Sequence, residues 1–384
     1  MDLLSHIKST KKIGLLIHSG SGIFGSGIIQ NAYFIYQCLI KLGLKCDFLC
    51  HEKDPKPFDY CSIPIKQISI NKSVFNPEEY HTLITVTRGI PKEMYDYLKS
   101  HKIFIVSFVC GNTYFTDMED FTRGPRVSGQ LNFIGTSAPC DEMWVIPSFK
   151  HSFDYLSLVR RAPCFSVPHL WSPEILKTSF LSKFKESEEA MRWNLMSHCS
   201  KKINILILES NQFMIKNAWL PLLAAEKINQ ETPDLIENVY IFNCPEYSNT
   251  KTMLSEFTVS PKIKKFARLP IIDIMKHFNK DGFPIIVSHQ IYNELNYLYY
   301  EAMYYGWPLV HNSSMIKEHG YYYSDVSIGE CAEQIKTAFK IHNKHIETVT
   351  ENAHKYLQTI DPLNPEVSKI WEQLINDGIA KTCV

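Results

Sequence analysis

An α/β protein built from two doubly wound parallel sheets that face each other across a cleft is the fold class this sequence predicts. Three observations carry that expectation. Short apolar runs of strand type alternate with helical patterns from the first residues onward. The alternation restarts at Ile203 after a polar stretch. Finally, 384 residues are too many for one ordinary core and suit two domains.

The first unit reads as strand Lys12 to His18, loop Ser19 to Gly27, helix Ile28 to Leu42 and strand Lys45 to Cys50. Apolar runs at Leu83 to Val86, Ile103 to Val109 and Met143 to Ile146 continue it, with a helix over Pro91 to Ser100. Phe180 to Lys201 is polar and charged without strand signal, which predicts a helical connector. The second series then runs strand Ile203 to Leu208, helix Trp219 to Ile228, strands Asn238 to Asn243 and Ile263 to Phe266, helix Ile272 to Phe278 and strand Pro284 to Ser288. A helix from about Asn293 to Tyr305, a strand Pro308 to His311 and helices near Glu330 to His342 and Ile346 to Gln358 complete it. Beyond Pro362 and Pro365 a last helix, about Glu366 to Ile375, is free to pack back on the first domain. The expected domains are Rossmann-like units over 1–195 and 196–362, with 363–384 returning to the first.

Composition narrows the function. Forty basic residues balance forty acidic ones, so no net field exists to coat a polyanion. With 45% apolar residues the chain fills a core and is not disordered. No apolar run approaches the ~20 residues of a membrane span, so no transmembrane segment is expected. The basic N-terminus and Ile13 to Ile17 make a poor secretory signal, because the run stops at His18. Eleven cysteines lack any C-x-x-C pair, which fits reduced thiols and a cytoplasmic location.

Between the first strand and its helix stands His18-Ser-Gly-Ser-Gly-Ile-Phe-Gly-Ser-Gly27. Gly20, Gly22 and Gly25 have G-x-G-x-x-G spacing, and such a loop lets backbone N–H groups approach an anion at a helix N-terminus. No acidic residue closes the second strand, where Cys50 and His51 stand, so a nicotinamide enzyme is only the runner-up.

The most informative stretch is Val287-Ser-His-Gln-Ile-Tyr-Asn-Glu-Leu-Asn-Tyr, continuing through Glu301-Ala-Met and Gly306-Trp-Pro to His311-Asn. A strand ends, polar residues cross its carboxyl edge, a helix follows, and Gly306 with Pro308 stops it. This order resembles the donor-sugar signature of GT-B glycosyltransferases: an acidic residue, seven intervening residues, Glu-Ala-Met, then Gly-x-Pro. Asn293 occupies the first acidic position, with Glu294 one later and on the helix face of Glu301. The resemblance implies that Asn293 contacts sugar hydroxyls and Glu301 the ribose of a nucleotide.

A second local match follows strand Ile203 to Leu208. Retaining GT-B enzymes often carry Arg and, five positions on, Lys at this turn, where they hold the donor diphosphate. Lys216 fits the lysine position, Asn211 replaces the arginine, and Arg268 is the candidate for the missing charge. Glu209-Ser-Asn, Lys216, Ser288-His-Gln, Asn293, Leu295-Asn-Tyr with Asn296, and Pro308-Leu-Val-His-Asn-Ser together resemble an uncharacterised GT-B-like family of bacteria and viruses. Val167-Pro-His-Leu-Trp-Ser-Pro173 does so as well. His289 is thereby placed in the donor cleft.

The resemblance makes the first domain the acceptor side, so a catalytic base is sought there: His18, Asp117 or His169. No Asp-x-Asp occurs in the chain, and a metal-free transfer is expected, with Lys, Arg and helix N-termini neutralising the leaving group. The implied activity is transfer of a sugar from a nucleotide sugar to an acceptor hydroxyl on a glycan or small molecule. Two alternatives stand beside it: a non-catalytic nucleotide-sugar-binding protein, and a transferase acting on a modified base in DNA.

Overall fold

The computed structural model describes residues 10–382 apart from 18–22, 25–26, 54–57, 61–62, 66, 87–88, 124–138, 197–199, 212–213, 244–253 and 280–281. The chain divides into two compact units, one formed by Met1–Ser172 with Gln358–Val384 and the other by Pro173–Leu357.

In the first unit the main sheet contains β1 (Lys12–Leu16), β2 (Cys46–Cys50), β5 (Gln67–Ser69), β6 (Tyr80–Val86), β7 (Phe104–Val109), β8 (Glu142–Val145) and β9 (Cys164–Ser166). Between β2 and β5, β3 (Phe58–Tyr60) and β4 (Ile63–Ile65) form a separate antiparallel pair. The main sheet is parallel throughout, in the order β5-β2-β1-β6-β7-β8-β9. All seven residues of β6 and all six of β7 are buried, which is why these strands read as continuous apolar or small polar runs. Helix α1 (Gly27–Lys41) turns Ile29, Ala32, Ile35, Cys38 and Leu39 inward at helical spacing. Helices α2 (Lys92–Ser100), α3 (Thr113–Arg123) and α4 (Phe153–Arg160) complete the series.

The second unit begins with α5 (Glu174–Phe184). It continues with β10 (Ile203–Ile207), α6 (Trp219–Glu231), β11 (Ile236–Ile241), β12 (Ile263–Lys265), α7 (Ile271–Phe278), β13 (Pro284–Val287), α8 (Tyr297–Tyr304), β14 (Leu309–His311), β15 (Tyr321–Tyr322) and α9 (Ile328–Gln358). Its sheet is parallel in the order β12-β11-β10-β13-β14-β15. Counted along the chain that is 3-2-1-4-5-6, and the first sheet repeats it with one further strand. Both are Rossmann-like.

The segment read as a helical connector is helical only to Phe184. The segment is tied to α7 by Lys183–Asp273 at 2.5 Å and by Lys276–Glu186, and to Asn279 just after α7, which donates to Ala190 O at 2.8 Å and Arg192 O at 2.7 Å. It therefore groups with the second unit, and its polarity reflects this surface seam. The two helices expected on either side of residues 343–345 are one. His342 is fully buried and bonds Gly306 O and Tyr321 OH, while Asn343 accepts from Trp193 Nε1 at 2.8 Å. Polar residues with tertiary partners interrupt the apolar pattern without breaking the helix.

The last helix, α10 (Pro365–Thr382), packs on α1, β6 and β7. Trp371, fully buried, meets Trp144 edge-on with ring centroids 5.7 Å apart and lies 6.0 Å from Phe108. A side chain at Gly378 would collide with the Phe104 ring.

Candidate functional site

Because every strand of the second sheet is parallel, all carboxyl ends share one edge. The strand order reverses between β10 and β13, and the two loops leaving them meet at the edge where open α/β sheets bind ligands. The loop after β10 brings Glu209, Asn211 and Lys216; the loop after β13 brings Ser288, His289, Gln290 and Asn293. A β-bridge between Lys216 and Gln290 and the bond from Ile291 N to Ile215 O at 2.9 Å lock the loops together.

Lys216 donates to Leu295 O at 2.6 Å, and its charge acts on Glu209. Glu209 is 1% exposed and accepts from the Ser288 hydroxyl. Burial pushes its carboxyl above the ordinary range, against the opposing pull of Lys216, the Ser288 hydroxyl and the His289 N–H. The Ser288 hydroxyl lies 2.9 Å from Tyr299 OH, and Tyr323 OH donates to Ser288 O at 2.9 Å and sits 3.0 Å from His289 Nδ1. Burial pushes the His289 imidazole down to about 4, so it is neutral. Beside this network, Gln290 and Asn312 extend the β13–β14 pairing: Gln290 N donates to Asn312 Oδ1 at 3.0 Å and Asn312 Nδ2 to Gln290 O at 2.8 Å.

Asn211 does local work. It holds a left-handed backbone with φ +53°, which Asn tolerates. Its amide donates to Glu209 O and Phe242 O at 3.2 and 2.9 Å, and its oxygen accepts from Ala218 N at 2.7 Å. That oxygen pins the start of α6. Arg268 follows β12, the edge strand two places from β10, and is exposed.

Helix α8 starts at Tyr297 and not near Asn293. Asn296 is its N-cap, extended at φ −145°, ψ 122°, with its side chain accepting from Leu298 N at 3.2 Å. Glu294 therefore lies before the helix and does not share a face with Glu301. Its carboxylate instead accepts from Ser314 Oγ at 2.7 Å and Met315 N at 3.1 Å. The Asn293 N–H donates to Gln290 Oε1 at 2.6 Å, and the residue is 9% exposed. Glu301 is buried on α8, one turn beyond Tyr297.

In the first unit, Asp117 is buried on α3 and accepts from Tyr155 OH at 2.6 Å. His169, after β9, is buried enough to push its imidazole down to about 3. His18, Gly22 and Gly25 lie outside the described residues. Glu209 and Ser288 stood in the motif that carried the resemblance but were given no role, and Tyr299 and Tyr323 were not expected. One signal was present: a carboxylate two positions after a buried parallel strand.

From residue 13 to residue 375 the chain matches the model of the family described as "Protein of unknown function (DUF2827)". It belongs to DUF2827. No curated protein matches it in sequence. Among solved structures, this DUF2827 chain is similar to Anabaena Alr3699/HepE in complex with UDP-glucose, at 12% identity and a TM-score of 0.57 over 94% of this chain and 99% of that one. It is also similar to an alpha-glucosyltransferase in complex with UDP and a 13-mer DNA containing an HMU base, at 9% identity and a TM-score of 0.58 over 96% and 100%. A third is the pneumococcal O-GlcNAc transferase GtfA in complex with UDP and GlcNAc, at 9% identity and a TM-score of 0.54 over 96% and 99%. These likenesses establish the fold: two Rossmann-like sheets of the GT-B kind. Among the described residues no helix is long and apolar enough to cross a membrane.

Proposed function

We propose that this protein is a GT-B glycosyltransferase that moves a sugar from a nucleotide-sugar donor to an acceptor hydroxyl. The observation that carries this reading is the sheet edge at β10 and β13, where a cation, a buried carboxylate and a set of neutral hydrogen-bonding side chains converge. Solved structures of the same fold hold UDP or UDP-glucose, which supports a nucleotide-sugar donor. In this reading Lys216 faces the diphosphate with Arg268 as the second cation, and Glu301 takes the ribose. Asn293 and His289 face the rest of the donor, Asn296 and Asn211 hold the loops, and Gly22 and Gly25 are further candidates for donor binding. That unit presents the acceptor and supplies the base from His18, Asp117 or His169. Burial makes His169 a weak acceptor of a proton at neutral pH.

Thermal unfolding against a panel of UDP- and GDP-sugars tests this. A donor at one hundred times its dissociation constant adds about 2.7 kcal/mol to stability. Lys216→Ala and Glu301→Ala remove that shift; an undiminished shift in both variants places the donor elsewhere. Transfer needs no divalent metal, because Lys216, Arg268 and helix N-termini carry the leaving-group charge. Turnover in excess EDTA stays at its full rate, and loss of rate that manganese restores defeats that part.

Asn211 favours one second reading. Its side chain is spent on Glu209 O, Phe242 O and Ala218 N, so the turn lacks a second cation, and a binding protein without turnover has that composition. Donor binding without hydrolysis or transfer across glycan, small-molecule and hydroxymethyl-base DNA acceptors selects it.

A further inference from the structure

His289 ends the buried polar chain at this sheet edge, and its surroundings fix where its proton lies. Beside the Cys331 thiol, which also bonds it, the Tyr323 hydroxyl has one hydrogen to share between Ser288 O at 2.9 Å and His289 Nδ1 at 3.0 Å. Two oxygens 2.9 Å apart, one of them a carbonyl, repel unless the hydrogen lies between them. The tyrosine hydrogen is thereby committed to Ser288 O. Nδ1 must then carry a hydrogen and donate it to the Tyr323 oxygen. The ring stacks on Tyr323 at 16° between planes, which holds this geometry. A neutral imidazole protonated at Nδ1 has a bare lone pair at Nε2. The side chain is 4% exposed, and among the described residues Nε2 has no hydrogen-bond partner.

We propose that His289 Nε2 is the acceptor through which the site recognises a hydroxyl of the nucleotide sugar, and that it does not touch the diphosphate. This rests on the donor reading above and assigns part of the donor to one atom. Phosphate oxygens offer only lone pairs, so a bare Nε2 repels them, whereas a sugar or ribose hydroxyl brings the hydrogen the nitrogen lacks. Burial, which holds the imidazolium down to about 4, keeps that lone pair free at neutral pH. Tyr323 is the positioning residue: it sets the tautomer and touches no ligand.

The test uses the full chain and UDP-glucose, UDP-N-acetylglucosamine and GDP-mannose, with UDP and GDP alone as second probes. His289→Leu removes the acceptor and weakens the nucleotide sugar that binds wild type by about tenfold. His289→Gln, which keeps an acceptor oxygen, recovers most of it. If the hydroxyl belongs to the transferred sugar, the bare nucleoside diphosphate binds His289→Leu as it binds wild type; if it is the ribose, both weaken alike. Nitrogen NMR of the free wild-type protein shows the His289 proton on Nδ1, and Tyr323→Phe mixes the tautomers. A proton on Nε2 in the free protein, or unchanged donor affinity in His289→Leu, overturns the assignment while leaving the donor reading intact. Absence of binding by every nucleotide sugar overturns the donor reading itself, and this assignment with it.

Discussion

Buried neutral histidines set the acid limit of this protein. Burial holds His169 near 3 and His289 and His311 near 4, far below the ~6.5 of an exposed imidazole. His311 accepts from Ser313 N at 3.2 Å through Nδ1 while its Nε2 faces His319 O at 2.7 Å, an arrangement only the neutral ring satisfies. The folded value lies below the unfolded one, so the stabilisation is complete above about pH 6.5 and drains as pH falls toward 4. Each such histidine removes about 1.4 kcal/mol per pH unit in that window. Urea midpoints between pH 7 and pH 5 therefore fall steeply, and His311→Gln flattens part of the slope; equal midpoints at both ends contradict this. At this scale the sequence showed the donors of chemistry but not their partners. The resemblance singled out Lys216 and His289, whereas the commitment of Asn211 to three backbone groups depends on a left-handed φ that spacing does not encode.

Two caps decide where α8 begins and ends. Asn296 closes the N-terminus, and Asn296→Ala costs about 1 kcal/mol, while Asn296→Asp, which keeps an acceptor, costs much less. At the other end Gly306 has φ +70°, and a Cβ there would stand 2.8 Å from Ile346 Cδ1 and Thr350 Oγ1. Gly306→Ala therefore costs about 1–3 kcal/mol, from backbone strain and from the displaced α9. Denaturant unfolding checks both, and a Gly306→Ala midpoint equal to wild type refutes the second. Gly306 and Pro308 were legible as a stop signal. The start was not: Asn293 and Glu294 look like a helix opening, yet Glu294 is drawn off to Ser314 and Met315. Short elements such as β9, β15 and α4 escaped because two- to eight-residue pieces carry too few periods to read.

The alternation of strand and helix, its restart at Ile203, and the return of the last helix were all visible in hydrophobic period, because parallel sheets buried on both faces leave strong apolar runs. The boundary was less so: Phe180 to Lys201 looks like a connector by polarity but fastens to α7 through ion pairs and amide bonds. Deleting residues 359–384 strips Trp371, Ile375 and Ile379, each fully buried, from the first unit. The first unit of that variant melts well below wild type and binds a hydrophobic dye, while the second keeps its own transition; a single unchanged melt speaks against it. Gly378→Leu, which drives a side chain into Phe104, acts in the same direction. The same helix fixes an order of events during synthesis. Met1–Ser172 leaves the ribosome before Pro173–Leu357 yet lacks its Trp371 wedge until that second unit has emerged, so the earlier of the two units is completed after the later one.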